Sequence, residues 1–367
     1  NLKEAYYSKR WSFVDIHLGR KFNTWSLADQ YWDMGIWQPR FMWSRLRPDQ
    51  NGLTGLFLQG AVKNFQWTSF LTPFYIPDLG PQFQTENNQV TSSNPWFKTP
   101  AKFATVPGII NNKEIIYNIN VPEANEVLYQ PAVAFQVKWQ KQDYFCQMSY
   151  AYKPSNQVFL SANPVIRIDL EGAPPGVDLY PFFNDHRLLT GECGRESDQL
   201  GWFGFVSATN DNPINKKQPA EWVSKRLKET SALTTLAGFN FGRAKTYLSF
   251  INLWGGDDKD NGEKASLSSS FFEQRYDYYR AVRVGYNQDF NFLSKNFNFE
   301  AQASWDIVQE GWSWISELGV FVSKNFRTYL QADGVALAKT ADTVGSNNFL
   351  ETFKRNDQVK LGVQVVF

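Results

Sequence analysis

Apolar and polar residues trade places with a period of two along most of this chain. Val133, Phe135, Val137 and Trp139 take one side of a segment whose other side is Ala134, Gln136, Lys138 and Gln140. Phe297, Phe299, Ala301, Ala303, Trp305 and Ile307 do the same against Asn298, Glu300, Gln302, Ser304 and Asp306, as do Val14, Ile16 and Leu18 against Asp15, His17 and Gly19. The last stretch, Asp357 to Phe367, sets Val359, Leu361, Val363, Val365 and Phe367 opposite Lys360, Gly362 and Gln364. Successive side chains of a strand point to opposite faces, so this rhythm predicts strands with one apolar and one polar face.

Further strands are expected at Lys3–Lys9, Leu53–Val62, Phe65–Tyr75, Tyr144–Tyr152, Val158–Leu170, Ala232–Gly242, Lys245–Trp254, Trp312–Val322 and Phe326–Ala338. Tyr180–Leu189, Leu200–Thr209 and Glu221–Lys228 are weaker candidates, and Ser266–Asp289 reads as one long strand because its aromatic and Val residues hold one parity. Short turns at Arg10–Ser12, Lys63-Asn64, Lys141–Asp143, Arg243 and Ser323–Asn325 alternate with long connections at Asn23–Gly52, Ile76–Gln130, Gly255–Lys264 and Lys339–Asn356. The count is roughly sixteen strands, with about fourteen to eighteen allowed. The first visible strand and the last then run the same way, which cannot close an antiparallel seam. The expectation is therefore a strand missing before Asn1, or a turn assigned to the wrong side.

Composition changes this picture only by narrowing it. A mean hydropathy of −0.43 excludes a bundle of membrane helices. Aromatic residues make up 17% of the chain, about twice a soluble protein's share. Lysine and arginine total 37 against 36 acidic residues, so no whole-molecule field selects nucleic acid. Of the two cysteines, Cys146 shares a face with Tyr144, Met148 and Tyr150, while Cys193 lies in the polar run Thr190–Glu196. A disulfide needs both on one side, so the sequence argues against one, and against a zinc or redox site more strongly. The acidic run GGDDKDNGEK looks like a calcium loop but lacks oxygen ligands at the alternate positions such a loop needs.

The closing strand, with apolar residues at alternate positions and a terminal Phe, resembles that of bacterial outer-membrane β-barrels. The segment Leu18-Gly19-Arg20, Trp25, Asp29, Pro39-Arg40 resembles, in part, porin-like families including alginate-export-type barrels. The resemblance implies an all-β, antiparallel up-and-down transmembrane β-barrel forming a single domain over residues 1–367, in the bacterial outer membrane. It implies outer-membrane lipid and lipopolysaccharide as surroundings and, as assembly signal for the barrel-assembly machinery, Val359, Leu361, Val363, Val365 and Phe367. The function expected is a porin passing small hydrophilic solutes.

On that reading the polar face lines a pore with Asp15, His17, Gln136, Lys138, Gln147, Arg167, Asp169, Glu300, Gln302, Asp306, Lys360 and Gln364. Arg20, Arg40, Arg45 and Arg47 stand near its mouth, or pair with Asp15, Asp29, Asp33 and Asp49. The long loop 76–130 is the candidate constriction or plug. A barrel plugged by that loop and serving as receptor, adhesin or subunit of an envelope complex is the alternative, and a homo-oligomer fits either. With His17 and His186 the only histidines and no nucleophile motif beside them, the sequence predicts no enzyme. No cofactor, metal or nucleic-acid partner is expected.

Overall fold

A computed structural model describes residues 2–106, 110–120, 122–165, 174–196, 201–215, 227–256, 275–338 and 349–365. Fifteen strands form one continuous sheet, the wall. They are β1 (Ala5–Trp11), β2 (Val14–Lys21), β3 (Leu53–Val62), β4 (Phe65–Thr72) and β5 (Ala132–Lys141). Then come β6 (Tyr144–Pro154), β7 (Asp185–Arg195), β8 (Gly201–Ile214), β9 (Thr230–Phe241) and β10 (Ala244–Gly255). Last are β11 (Arg280–Phe292), β12 (Lys295–Asp306), β13 (Gly311–Phe321), β14 (Phe326–Leu337) and β15 (Gln358–Val365). Each pairs antiparallel with the next in chain order. Fifteen is odd, so β1 and β15 run the same way, and no pairing joins them among the described residues.

The turns are where the sequence places them. Ser12, Lys63 and Gln142 open two-residue connections with φ of 56, 54 and 54°, the left-handed backbone that matches a hairpin turn to the twist of its strands. The long connections lie at the other end of the wall.

The wall is inverted relative to a water-soluble protein. On β6, Met148 is 58% exposed, whereas its neighbours Gln147 and Ser149 are 6% and 0% exposed. Val206 is exposed beside buried Ser207, Leu248 beside buried Ser249 and Val284 beside buried Arg283. An apolar face turned outward with polar side chains inside is stable only where the outside is lipid. Among the described residues no helix is long and apolar enough to cross a membrane.

The sheet is strongly curled. The segment Trp25–Trp32 includes a single six-residue helix, about 9 Å long. It touches Phe70 of β4 at one end and Arg283 of β11 at the other. In a flat sheet those strands lie seven spacings, about 34 Å, apart. Only a wall wrapped around the segment brings both within reach.

Several expectations are corrected. Phe159–Val165 is a strand, but it leaves the wall. It pairs with Gly176–Phe182, which in turn runs parallel to Ile116–Ile119. Val90, Phe97, Ala104, Ile115, Tyr117, Val177 and Leu179 give this outlying unit its own small apolar core. Of the long strand expected at Ser266–Asp289, residues 266–274 lie outside the described ones, and from 275 on the strand begins only at Arg280, because Tyr276 and Tyr278 are buried against the wall's interior rather than continuing it. Cys146 and Cys193 form a disulfide. The polar run around Cys193 belongs to β7, where Cys193 sits directly opposite Cys146 on the outer face. Arg167, Asp169 and Phe367, and most of Gly255–Lys264 and Glu221–Lys228, lie outside the described residues.

Candidate functional site

The interior of the wall is filled by residues 23–51, between β2 and β3, hereafter the plug. Ser26 begins its helix α1 (Leu27–Trp32), in extended backbone with its hydroxyl accepting from the Asp29 amide at 3.1 Å. Serine followed three residues later by an acid is a helix-starting pattern. Three tryptophans then supply bulk: Trp25 and Trp37 stack at 5.8 Å, and Trp32 lies on the opposite side, all 1% exposed.

The wall meets α1 with charges that match its polarity. At the start, the Glu192 carboxylate accepts from Ser26 Oγ (2.7 Å), the Leu27 amide (2.9 Å), the Ala28 amide (3.1 Å), Gln147 Nε2 (2.5 Å) and Ser207 Oγ (2.9 Å). Every one of these donors is uncharged, yet together they saturate a carboxylate that is only 2% exposed. At the end, Arg283 donates to the Tyr31 carbonyl and lies 4.3 Å over the Trp32 ring. Acid at the amino end and base at the carboxyl end both favour a helix in that direction. Trp32 Nε1 donates to Ser249 Oγ at 2.9 Å and Trp37 Nε1 to Thr190 Oγ1 at 3.1 Å.

Past α1 the plug turns back through Gly35, whose φ of +66° is accessible to glycine and whose missing side chain makes room for the Arg40 guanidinium. Asp29, 2% exposed, accepts from the Ile36 amide at 3.0 Å. Burial raises its carboxyl to about 6, although that bond and Arg40 nearby pull the other way.

Each arginine expected at a pore mouth is engaged. Arg40 pairs with Asp78 at 3.5 Å, with both side chains buried. Arg45 pairs with Asp277 and lies over Phe349 and Phe353. Arg47 reaches Asp333 at 2.8 Å and Glu317 at 3.5 Å. Arg20, on β2, donates to Thr54 Oγ1 and the Leu2 carbonyl. The named partners Asp15, Asp29, Asp33 and Asp49 therefore give way to Asp78, Asp277 and Asp333.

Of the inner-face residues, Gln136 donates to the Thr24 carbonyl at 2.7 Å and Gln147 to Glu192, so both hold the plug. Asp306 accepts from the Tyr279, Val308 and Gln309 amides and fastens loops at the wall's end. His17 is buried edge-on to Tyr6, Asp15 pairs with Arg10 at 3.6 Å, and Lys138 pairs with Glu196 at 3.4 Å. Gln302 lies beside Tyr247, Glu300 opposite Glu317, Lys360 opposite Gln331, and Gln364 accepts from Arg327 at 3.3 Å. Val359, Leu361, Val363 and Val365 stand exposed on the outer face of β15.

The segment 76–130 reaches the interior at Trp96, which joins the buried cluster of Trp25, Trp32 and Trp37. It lies over the plug as a cap: Leu79 exchanges backbone bonds with Arg40 and Met42, and Trp96 packs on Phe353. Glu192, Ser249, Thr190 and Asp78, which do much of the holding, were not picked out from the sequence. The usable signal was in Asn23–Gly52 itself, where Trp25, Trp32 and Trp37 are too apolar for a solvated loop. Two cavities border the plug, of about 10 and 30 Å³, and neither admits more than a few waters.

No family model matches the chain, and no curated protein matches it. Among solved structures it is similar to Acinetobacter baumannii OccAB1, with 10% identity over 98% of this chain and 74% of that one at a TM-score of 0.44. It is also similar to Escherichia coli outer membrane phospholipase A, with 12% identity over 66% of this chain and 85% of that one at a TM-score of 0.28. The second is an enzyme by name, so the exclusion of enzymatic activity drawn from two histidines and an absent motif is overturned. Both are outer-membrane β-barrels. An outward apolar face over a polar interior, on strands that each pair antiparallel with the next, is the arrangement of an outer-membrane β-barrel wall.

Proposed function

We propose that the protein is an outer-membrane channel for small hydrophilic solutes whose lumen is held shut by its plug. The observation that carries this reading is that the plug reaches Glu192 on β7 and Asp333 on β14 at once, spanning a polar-lined interior. A wall of polar side chains is suited to water and solute, and the plug occupies the space they would use. In this reading the wall closes on itself as a ring of sixteen, with one further strand between β1 and β15 restoring antiparallel order. The inner-wall residues, Lys360 and Gln364 among them, then border the path, and the arginines of the plug move with the gate.

The alternative is a permanently plugged barrel acting as a receptor or a subunit of an envelope complex, favoured by the separate apolar core of the outlying unit. Planar-bilayer recording distinguishes them. The intact protein is expected to show rare openings, and replacing residues 24–50 by a short Gly-Ser linker is expected to give sustained current. An intact protein that never opens at any voltage, beside a linker variant that conducts, defeats the channel reading in favour of the alternative.

A further inference from the structure

Plug, cap and wall meet around the cavity of about 30 Å³. Met34, Gly35, Ile36 and Arg40 border it from the plug, Asp78 from the cap, and His186 and Asp211 from the wall. Three fully buried polar atoms of residues lining it make no hydrogen bond: Arg40 Nε, His186 Nε2 and Asp78 Oδ2, the last held only by its ion pair with Arg40 Nη2 at 3.5 Å. Their residues are 4, 7 and 4% exposed, and each comes from a different part of the molecule. Buried donors and acceptors rarely go unpaired, and three on one cavity set out what a guest has to supply.

The chemistry of that guest follows from the neighbours. His186 Nδ1 lies 2.9 Å from Asp211 Oδ1, and the same carboxylate takes Arg275 at 2.7 Å and the Tyr276 hydroxyl at 2.8 Å. A carboxylate facing Nδ1 fixes the proton there, which leaves Nε2 as an acceptor. The cavity thus presents one N–H, from Arg40, and two acceptors, His186 Nε2 and Asp78 Oδ2. Arg40 pairs with Asp78 and Arg275 with Asp211, and Asp185, the third carboxylate on the lining, accepts from the Tyr152 hydroxyl. A halide accepts only and leaves both acceptors unmet. An alkali cation cannot serve the Arg40 N–H. An apolar guest serves none of the three.

We infer that this cavity is a binding site for water: a molecule or pair that donates to His186 and Asp78 and accepts from Arg40, joining plug, cap and wall at one point. A volume of about 30 Å³ measured this way holds roughly two waters. The His186–Asp211–Arg275 network is thereby linked to the plug without a direct ion pair between His186 and Arg40. Water can exchange one partner for another as the plug shifts, so the joint holds the plug and still lets it go.

The test is a crystal structure of the intact protein in detergent at a resolution that shows ordered water, with a parallel crystal soaked in bromide and rubidium. One or two waters within about 3.2 Å of the three named atoms, and no anomalous peak there, are expected. In His186→Phe the water on Asp78 and Arg40 is expected to lose occupancy. A dry cavity in the wild type, or a bromide or rubidium peak inside it, overturns the inference. Occupancy is read in the closed protein, so it stands or falls separately from any current through the barrel.

Discussion

The plug is held on two sides by different means. Against the cap it uses main chain: Met42 donates to the Leu79 carbonyl and Leu79 to the Arg40 carbonyl, both at 2.8 Å, with the Arg40 amide on Asp78 at 2.6 Å. Against the wall it meets side chains: Glu192, Gln136, Ser149, Thr190, Ser249 and Arg283. The reason is that a strand inside a sheet has already committed its amides and carbonyls to its two neighbours. A wall strand therefore lends mostly side chains, the Ser316 carbonyl that accepts from Arg47 being an exception. The cap, with short and irregular elements, keeps backbone groups to share. The plug is therefore continuous with the cap and merely seated on the wall, and when it moves the seam should open on the wall side.

The largest effect is expected where the cap joint carries charge. Arg40→Met leaves Asp78 and Asp29 buried without their guanidinium and should destabilise the plug–cap unit by about 3–5 kcal/mol. Denaturant unfolding in detergent, with limited proteolysis of the cap, measures this. If the unit shifts by less than about 1 kcal/mol, the cap is not what anchors the plug.

Next in size is a dependence on pH. Asp29 holds its proton to about 6 in the folded plug, whereas an unfolded aspartate gives it up near 4. Between those values the unfolded state binds fewer protons, so plug stability should fall as pH rises through that window and level off above it. The drop is of order 2–3 kcal/mol. Hydrogen exchange of the Ile36 amide against pH follows it, and Asp29→Asn, which keeps an acceptor for that amide, should flatten the profile. An unchanged slope in Asp29→Asn assigns the effect to another group.

The smallest effect tests the wall side. Glu192→Gln swaps one acceptor oxygen for an NH₂ group facing the donors at the start of α1, at about 1–3 kcal/mol. Opening frequency should rise while the cap stays protease-resistant. Were the cap to loosen as well, the plug would not part along the wall seam as described.

What could be read from the chain by itself was everything with a short physical range. Alternation at Val133–Gln140 and Phe297–Ile307 placed strands and both faces, because each residue's preference for lipid or interior is decided at that residue. Turns such as Lys63-Asn64 were legible for the same reason. Three matters waited for the tertiary structure: that the loop after β2 goes inside, that Cys193 lies opposite Cys146, and that Phe159–Val165 quits the wall. Each depends on a partner distant in sequence. Ser26 and Glu192 are 166 residues apart, and nothing local to either records that the wall will curl until the carboxylate meets the first turn of α1. Periodicity tells a segment which way to face; only the assembled wall determines what will face it.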